Sequence, residues 1–247
     1  LLENLKIQNN LIETSWKFGV KRLVFLGSSC IYPKFSNQPI KENYLLTNNL
    51  EETNQWYAIA KIAGLKLCQA LKQQYGFDTI SLMPSNLYGP KDNYDLDDSH
   101  VMAALIRKFY EAKIDHKERV VCWGSGNPLR EFLHVDDLAE ACFYLLKNWH
   151  PNIHNSPLDE NGSPLNWINV GCNFEISIKE LANKISHIMN YEGEIFWDSE
   201  KPDGTIRKKL DTNCIQNLGW KAKIDLDKGI RSTIDSYRKE IINHSET

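Results

Sequence analysis

An α/β fold built around a parallel sheet is what this sequence predicts, and three observations predict it. Short apolar runs alternate with helical stretches of ten or more residues. The run Leu23-Val-Phe-Leu26 shows no period of two, as expected of a strand covered on both faces. Small polar residues, Gly27 to Cys30 and Pro84 to Asn86, directly follow two such runs. Ligands collect at the carboxyl ends of strands in sheets of this kind.

The elements follow in order. Leu1, Leu5, Ile12 and Trp16 share a helical face over residues 1–18, with Asn, Gln, Lys and Glu opposite, and Gly19 stops the helix. Residues 22–26 form the first strand. A helix runs from 54 to 75 and ends at Gly76, and 79–83 is a strand stopped by Pro84. Residues 86–98 read as a polar loop, after which Ser99 is the expected N-cap of a helix carrying Val101, Leu105, Ile106 and Phe109. Strands are expected at 119–123 and 132–135, then a helix from Asp136 to Lys147, a loop over 148–166 and a strand at 167–170. Ser177 and Glu180 have capping-box spacing before a helix to Met189. A short strand at 194–197 and a helix over 225–241 complete the chain.

The 247 residues, 42% hydrophobic and 25% charged, suffice for one large domain or two small ones. A net charge of −3 gives no overall polycationic footprint, which argues against general nucleic-acid binding. A mean hydropathy of −0.46 and the lack of an apolar run near 18 residues argue against a membrane span. No signal-peptide pattern is present at the start. The six cysteines lack a C-x-x-C spacing and read as reduced thiols of a cytoplasmic protein, with Cys30 in a special context.

Tyr57 and Lys61 lie four apart, on one helix face. A phenol beside an ammonium is a general acid for a carbonyl under reduction. Ten tyrosines and 29 basic residues in 247 would produce about one such pair by chance, so the pair alone is weak. Ser28, about thirty residues upstream at a strand's end, strengthens it, because its hydroxyl could bond the same carbonyl oxygen.

The set Ser28…Tyr57-x-x-x-Lys61 resembles the catalytic set of the extended short-chain dehydrogenase/reductase superfamily. The segments Leu26-Gly-Ser-Ser-Cys-Ile-Tyr-Pro33, Pro84-Ser-Asn-Leu-Tyr-Gly-Pro90, Ser99-His-Val101, Trp123-Gly-Ser-Gly-Asn-Pro-Leu-Arg130 and Lys201-Pro-Asp-Gly-Thr205 resemble more specifically the GDP-L-fucose synthase family. That resemblance implies a Rossmann-type doubly wound parallel sheet with a smaller C-terminal substrate domain. Residues 1–90 would be the remainder of the dinucleotide-binding part, and 91–247 mostly the substrate part with segments returning to the sheet. It implies an NADPH-dependent 3,5-epimerase/4-reductase of GDP-4-keto-6-deoxy-D-mannose, cytoplasmic and homodimeric. Cys30 would be the base and His100 the acid of epimerisation. Tyr57 would protonate the reduced oxygen, Ser28 would hydrogen-bond it, and Lys61 would hold the ribose and tune Tyr57. The NADP side would be formed by Leu26, Gly27, Ser28, Ser29, Lys61, Pro84, Ser85, Asn86, Leu87 and His100. The substrate side would be Lys108, Trp123, Arg130 and Asp203, with Arg130 a bidentate donor to the diphosphate. Lys108 stands where the family has Arg or Lys, and Ala103 replaces a common proline.

The family's glycine-rich pyrophosphate loop is not in this sequence. The expectation is a chain lacking about 60–90 residues upstream, a piece that folds and binds NADPH poorly by itself. Gly124-Ser-Gly126 has no further glycine at 129 and sits in a turn, so it is set aside as a dinucleotide fingerprint. His150 and His154, interrupted by Pro151, are set aside as a metal site. Two other readings stay open: an NAD-dependent nucleotide-sugar 4-epimerase, which needs Tyr57 and Lys61 but not Cys30 and His100, and a non-catalytic nucleotide-sugar-binding fragment.

Overall fold

The computed structural model describes residues 1–95, 98–151, 156–159 and 161–245. In chain order the helices and strands are α1 (Leu2–Lys17), β1 (Leu23–Leu26), α2 (Gln55–Tyr75), β2 (Thr79–Pro84), β3 (Asn86–Tyr88) and α3 (Val101–Ile114). There follow β4 (Arg119–Trp123), β5 (Leu129–His134), α4 (Val135–Asn148), β6 (Trp167–Val170), β7 (Glu175–Ser177) and α5 (Ile178–Met189). The chain ends with β8 (Glu194–Asp198), β9 (Arg207–Lys208), α6 (Asn213–Asn217) and α7 (Leu226–Ser245). They fall into two compact units, Leu1–Ser85 with Leu138–Asn173 and Lys209–Ala222, and Asn86–Asp137 with Phe174–Lys208 and Lys223–Thr247.

The first unit is built on a parallel sheet of order β1-β2-β6. All six residues of β2 are buried; it lies between β1 and β6 in the sheet, and α2 packs against it. The expectation that β1 is buried on both faces is corrected: it pairs with β2 alone among the described residues, and its last residue, Leu26, is 41% exposed. Hydrophobic pattern reports side-chain type, not how many neighbours a strand has. Helix α2 ends as its sequence demands. Gly76 adopts φ 69°, and its N–H reaches back to the last-turn carbonyls.

Helix α1 packs on α2. Its buried face holds Gln8 as well as Ile12, so the polar assignment of Gln8 is corrected. The side-chain amide of Gln8 donates to the Ala60 carbonyl at 2.6 Å, which satisfies it inside the contact. Gly64 permits the approach, since a Cβ there would lie 2.9 Å from the Gln8 amide of α1, and also 2.4 Å from Phe25 of β1. Ile12, Phe25, Ile31, Leu65 and Met83 form the core of this unit, and Leu210 joins it from the segment near the end of the chain.

In the second unit, β5 is parallel to β3 and β9 and antiparallel to β7, while β4 pairs with β8. Strands β3, β7 and β9 were not expected, nor was α6. Strands of two or three residues are too short to show any period. Helix α3 begins after His100, which is the N-cap and makes no side-chain cap bond, so the assignment of Ser99 as the cap is corrected. The capping box at Ser177 and Glu180 forms as expected. Met102, Ile106, Phe109, Leu181, Ile185 and Ile234 are the heart of this unit's core.

Candidate active site

The first unit gathers Ser28, Cys30, Tyr57 and Lys61. The backbone leaves β1 at Gly27, whose N–H donates to the Leu82 carbonyl at 2.9 Å, and a Cβ there would meet the Met83 sulfur at 2.4 Å. Ser28 is extended, and its hydroxyl accepts from the Cys30 N–H at 3.1 Å, so it starts the 3-10 turn Ser29–Ile31. That turn packs against α2, which carries Tyr57 and Lys61 one turn apart on one face.

Tyr57 is 38% exposed. Burial of its ring pushes the phenol above its usual range, the neighbouring Cys30 adds to this, and a hydrogen bond with Ser28 pulls it back. The Lys61 ammonium donates to the Leu26 carbonyl at 3.0 Å and stands 5.7 Å from the Tyr57 ring centroid. Burial lowers the pKa of Lys61. The expectation that Lys61 tunes Tyr57 downward is not met in this geometry. The ammonium is taken up by a backbone carbonyl, and burial dominates the phenol. Near neutral pH Tyr57 is therefore held protonated, as an acid requires.

The remaining residues assigned to the cofactor divide between the units. Ser29, Pro84 and Ser85 are buried in the first, at the carboxyl ends of β1 and β2. The Ser85 N–H donates to the Val170 carbonyl at 2.9 Å, whereas its buried hydroxyl finds no partner among the described residues. Asn86 and Leu87 belong to the second unit, where the Asn86 amide donates to the Glu131 carbonyl at 2.8 Å. His100 is exposed there at the start of α3.

The second unit brings Lys108 of α3, Trp123 at the end of β4, Arg130 of β5 and Asp203 to the surroundings of the turn that follows β4. Trp123 is 67% exposed, and the Lys108 and Lys201 ammonium groups stand 5.3 and 5.6 Å from its ring centroid. Lys108 also donates to the Val121 carbonyl at 3.0 Å. Asp203 accepts from the Ser125 N–H at 2.9 Å and from its hydroxyl at 2.6 Å. Those two bonds, side chain first, hold the Asp203 carboxyl below the usual range, with a smaller contribution from Arg130. Gly124 is needed beside them: its φ is +76°, and a Cβ would lie 2.3 Å from the Asp203 Oδ1. Arg130 donates to the Thr205 carbonyl at 2.6 Å and the Leu129 carbonyl at 2.8 Å. Burial lowers the pKa of Arg130, and Asp203 opposes this.

Three contributors escaped the sequence reading. Ser125 sits in the Gly-x-Gly set aside as a dinucleotide fingerprint, and Lys201 opens the segment 201–205, of which only Asp203 was assigned a role. Asn54, whose amide donates to the Cys30 sulfur at 3.4 Å, occupies an ordinary N-cap position. Among the described residues no group of three or more His, Cys, Asp or Glu is placed to hold a metal, and His154 lies outside those residues. No helix of the described residues is long and apolar enough to cross a membrane.

Residues 1–156 match the NAD dependent epimerase/dehydratase family. GDP-L-fucose synthase 1 of Arabidopsis thaliana is 51% identical over 240 residues, covering 97% of this chain and 70% of that protein. A solved GDP-L-fucose synthetase from Naegleria fowleri bound to NADP superimposes with a TM-score of 0.86 at 26% identity, over 98% of this chain and 73% of the other. A GDP-6-OMe-4-keto-L-xylo-heptose reductase from C. jejuni gives 0.85 at 36% identity, over 96% and 76%.

Proposed function

This chain belongs to the NAD dependent epimerase/dehydratase family, and on that premise we propose that it converts GDP-4-keto-6-deoxy-D-mannose to GDP-L-fucose, using NADPH. The observation that carries the reading is the Cys30 thiol turn packed against α2, beside a Tyr57 kept protonated. A 4-epimerase needs the phenol but has no use for the thiol.

The substrate's C4 ketone acidifies the hydrogens on C3 and C5. Cys30 takes a proton from each carbon in turn, and His100 returns one to the opposite face. The cofactor, when bound, supplies the hydride that reduces C4. Tyr57 delivers the proton to the C4 oxygen, and Ser28 hydrogen-bonds that oxygen and orients it. Lys61, beside Tyr57 on the same helix face, would hold the cofactor's ribose. The first unit fits the nicotinamide side of the cofactor: Ser85 keeps a buried hydroxyl without a partner among the described residues, at a strand's carboxyl end. Leu26, Gly27, Ser29 and Pro84 frame those strand ends, and Asn86 and Leu87 continue from β2.

In the second unit, Trp123 presents an aromatic face to the nucleotide-sugar. Arg130 and Lys108 supply positive charge for the diphosphate, and Asp203 accepts from sugar hydroxyls. The protein is cytoplasmic and works as a homodimer. Exposed Ile7, Leu11 and Phe18 near or on α1, with Trp56 and Ile59 on α2, supply apolar surface for a second copy. Light scattering of the purified protein checks that part.

The reaction is tested by incubating the protein with GDP-4-keto-6-deoxy-D-mannose and NADPH in D2O. GDP-L-fucose carrying deuterium at C3 and C5 is the expected product. Reduction at C4 without inversion or deuterium would contradict the proposal.

A further inference from the structure

We propose that Asn54 is a positioning residue for Cys30, its side-chain amide holding the sulfur and favouring the thiolate. The inference rests on the reading of Cys30 as the epimerisation base. Helix α2 starts directly after Asn54. Asn54 is the N-cap of this helix, where an Asn side-chain oxygen ordinarily accepts a first-turn N–H. Here no side-chain cap bond forms. The side chain is turned the other way, and its Nδ2 donates to the Cys30 Sγ at 3.4 Å. The Oδ1 is left buried with no partner among the described residues. The helix forgoes its cap, and a carbonyl goes unsatisfied, in favour of one contact with sulfur.

The contact discriminates between protonation states. A thiolate is a far better acceptor than a thiol, so an N–H aimed at the sulfur favours the charged form. The start of a helix adds to the effect, because its unpaired N–H groups are a positive end, and the Cys30 turn packs against α2. The Ser28 hydroxyl fixes the same turn through the Cys30 N–H at 3.1 Å. Ser28 thus places the backbone of Cys30, and Asn54 places its sulfur.

The sign of the effect is testable without turnover. Alkylation of Cys30 by iodoacetamide, followed across pH by mass spectrometry of the Cys30 peptide, reads the thiolate directly. Asn54→Ala removes the donor. Asn54→Asp keeps a preferred N-cap residue, which protects the helix, and puts an anion where the donor was. The alkylation midpoint is expected to rise by about one pH unit in Asn54→Ala, a tenfold loss of thiolate at fixed pH, and further in Asn54→Asp. Circular dichroism of both variants is expected to match the parent. An unchanged midpoint in both variants, or a fall, overturns the proposal; a fall would mean that the side-chain oxygen faces the sulfur. Deuterium exchange at C3 and C5 of GDP-4-keto-6-deoxy-D-mannose by the unaltered protein separates the two claims. Exchange with unshifted midpoints removes the role of Asn54 alone. Shifted midpoints without exchange remove Cys30 as the base and leave the Asn54 contact standing.

Discussion

Two polar clusters, one in each unit, are built on opposite principles. Around Tyr57, burial sets the chemistry: it raises the phenol, lowers the Lys61 ammonium, and leaves few donors to compensate. Around Trp123, the cations flank an exposed ring and Asp203 is held by direct hydrogen bonds from Ser125. The first arrangement suits groups that must change protonation during a reaction, because desolvation moves them away from their ordinary values. The second suits groups that must stay charged and in place, as binding an anionic nucleotide-sugar requires.

The contrast predicts that changes in the first cluster act on rate and changes in the second on binding or folding. Tyr57→Phe is expected to cut C4 reduction by about 10²–10⁴-fold while leaving C3/C5 exchange in place, read by NADPH absorbance and by NMR. Equal loss of both would merge the two steps and break the distinction. Arg130→Ala is expected to raise KM by about 10–100-fold with a smaller change in kcat, and Arg130→Lys is expected to recover part of it. A pure kcat effect would place Arg130 with the reacting groups. Gly124→Ala forces a side chain into a left-handed position and against Asp203, and is expected to cost about 1–3 kcal/mol in denaturant unfolding.

The smallest effect concerns Glu42, buried in the first unit. Its carboxyl accepts from the Asn169 N–H at 2.9 Å, and burial raises its pKa. The folded protein therefore keeps a proton that the unfolded chain releases, so stability falls as pH rises from the unfolded value through the raised folded one. Glu42→Gln removes that slope. The melting temperature of the variant minus that of the parent is expected to increase between pH 4 and pH 8, and a constant difference would contradict the assignment.

Much of this was legible because local physics decided it. Gly76 ends α2 and Ser177 with Glu180 opens α5 for reasons confined to a few residues. The Tyr57–Lys61 pair was legible from helical spacing. What failed depends on distant neighbours. Gln8 looks like a solvent residue until Ala60 accepts its amide, and Leu26 looks buried although the end of β1 leaves it 41% exposed. Asn54 had only its N-cap position to speak for it, and that position suggests a cap rather than a partner for sulfur. Ser125 lies in a Gly-x-Gly whose serine carried no signal of its own, although its partner is the side chain of Asp203.

The proton-transfer half of the account can be isolated from the rest. Unaltered protein and Cys30→Ser, each incubated with GDP-4-keto-6-deoxy-D-mannose in D2O without NADPH, are compared by NMR at C3 and C5. The account predicts deuterium at both carbons with the thiol present and exchange slower by about 10²–10⁴-fold without it. Equal exchange by the two proteins would show that Cys30 is not the base.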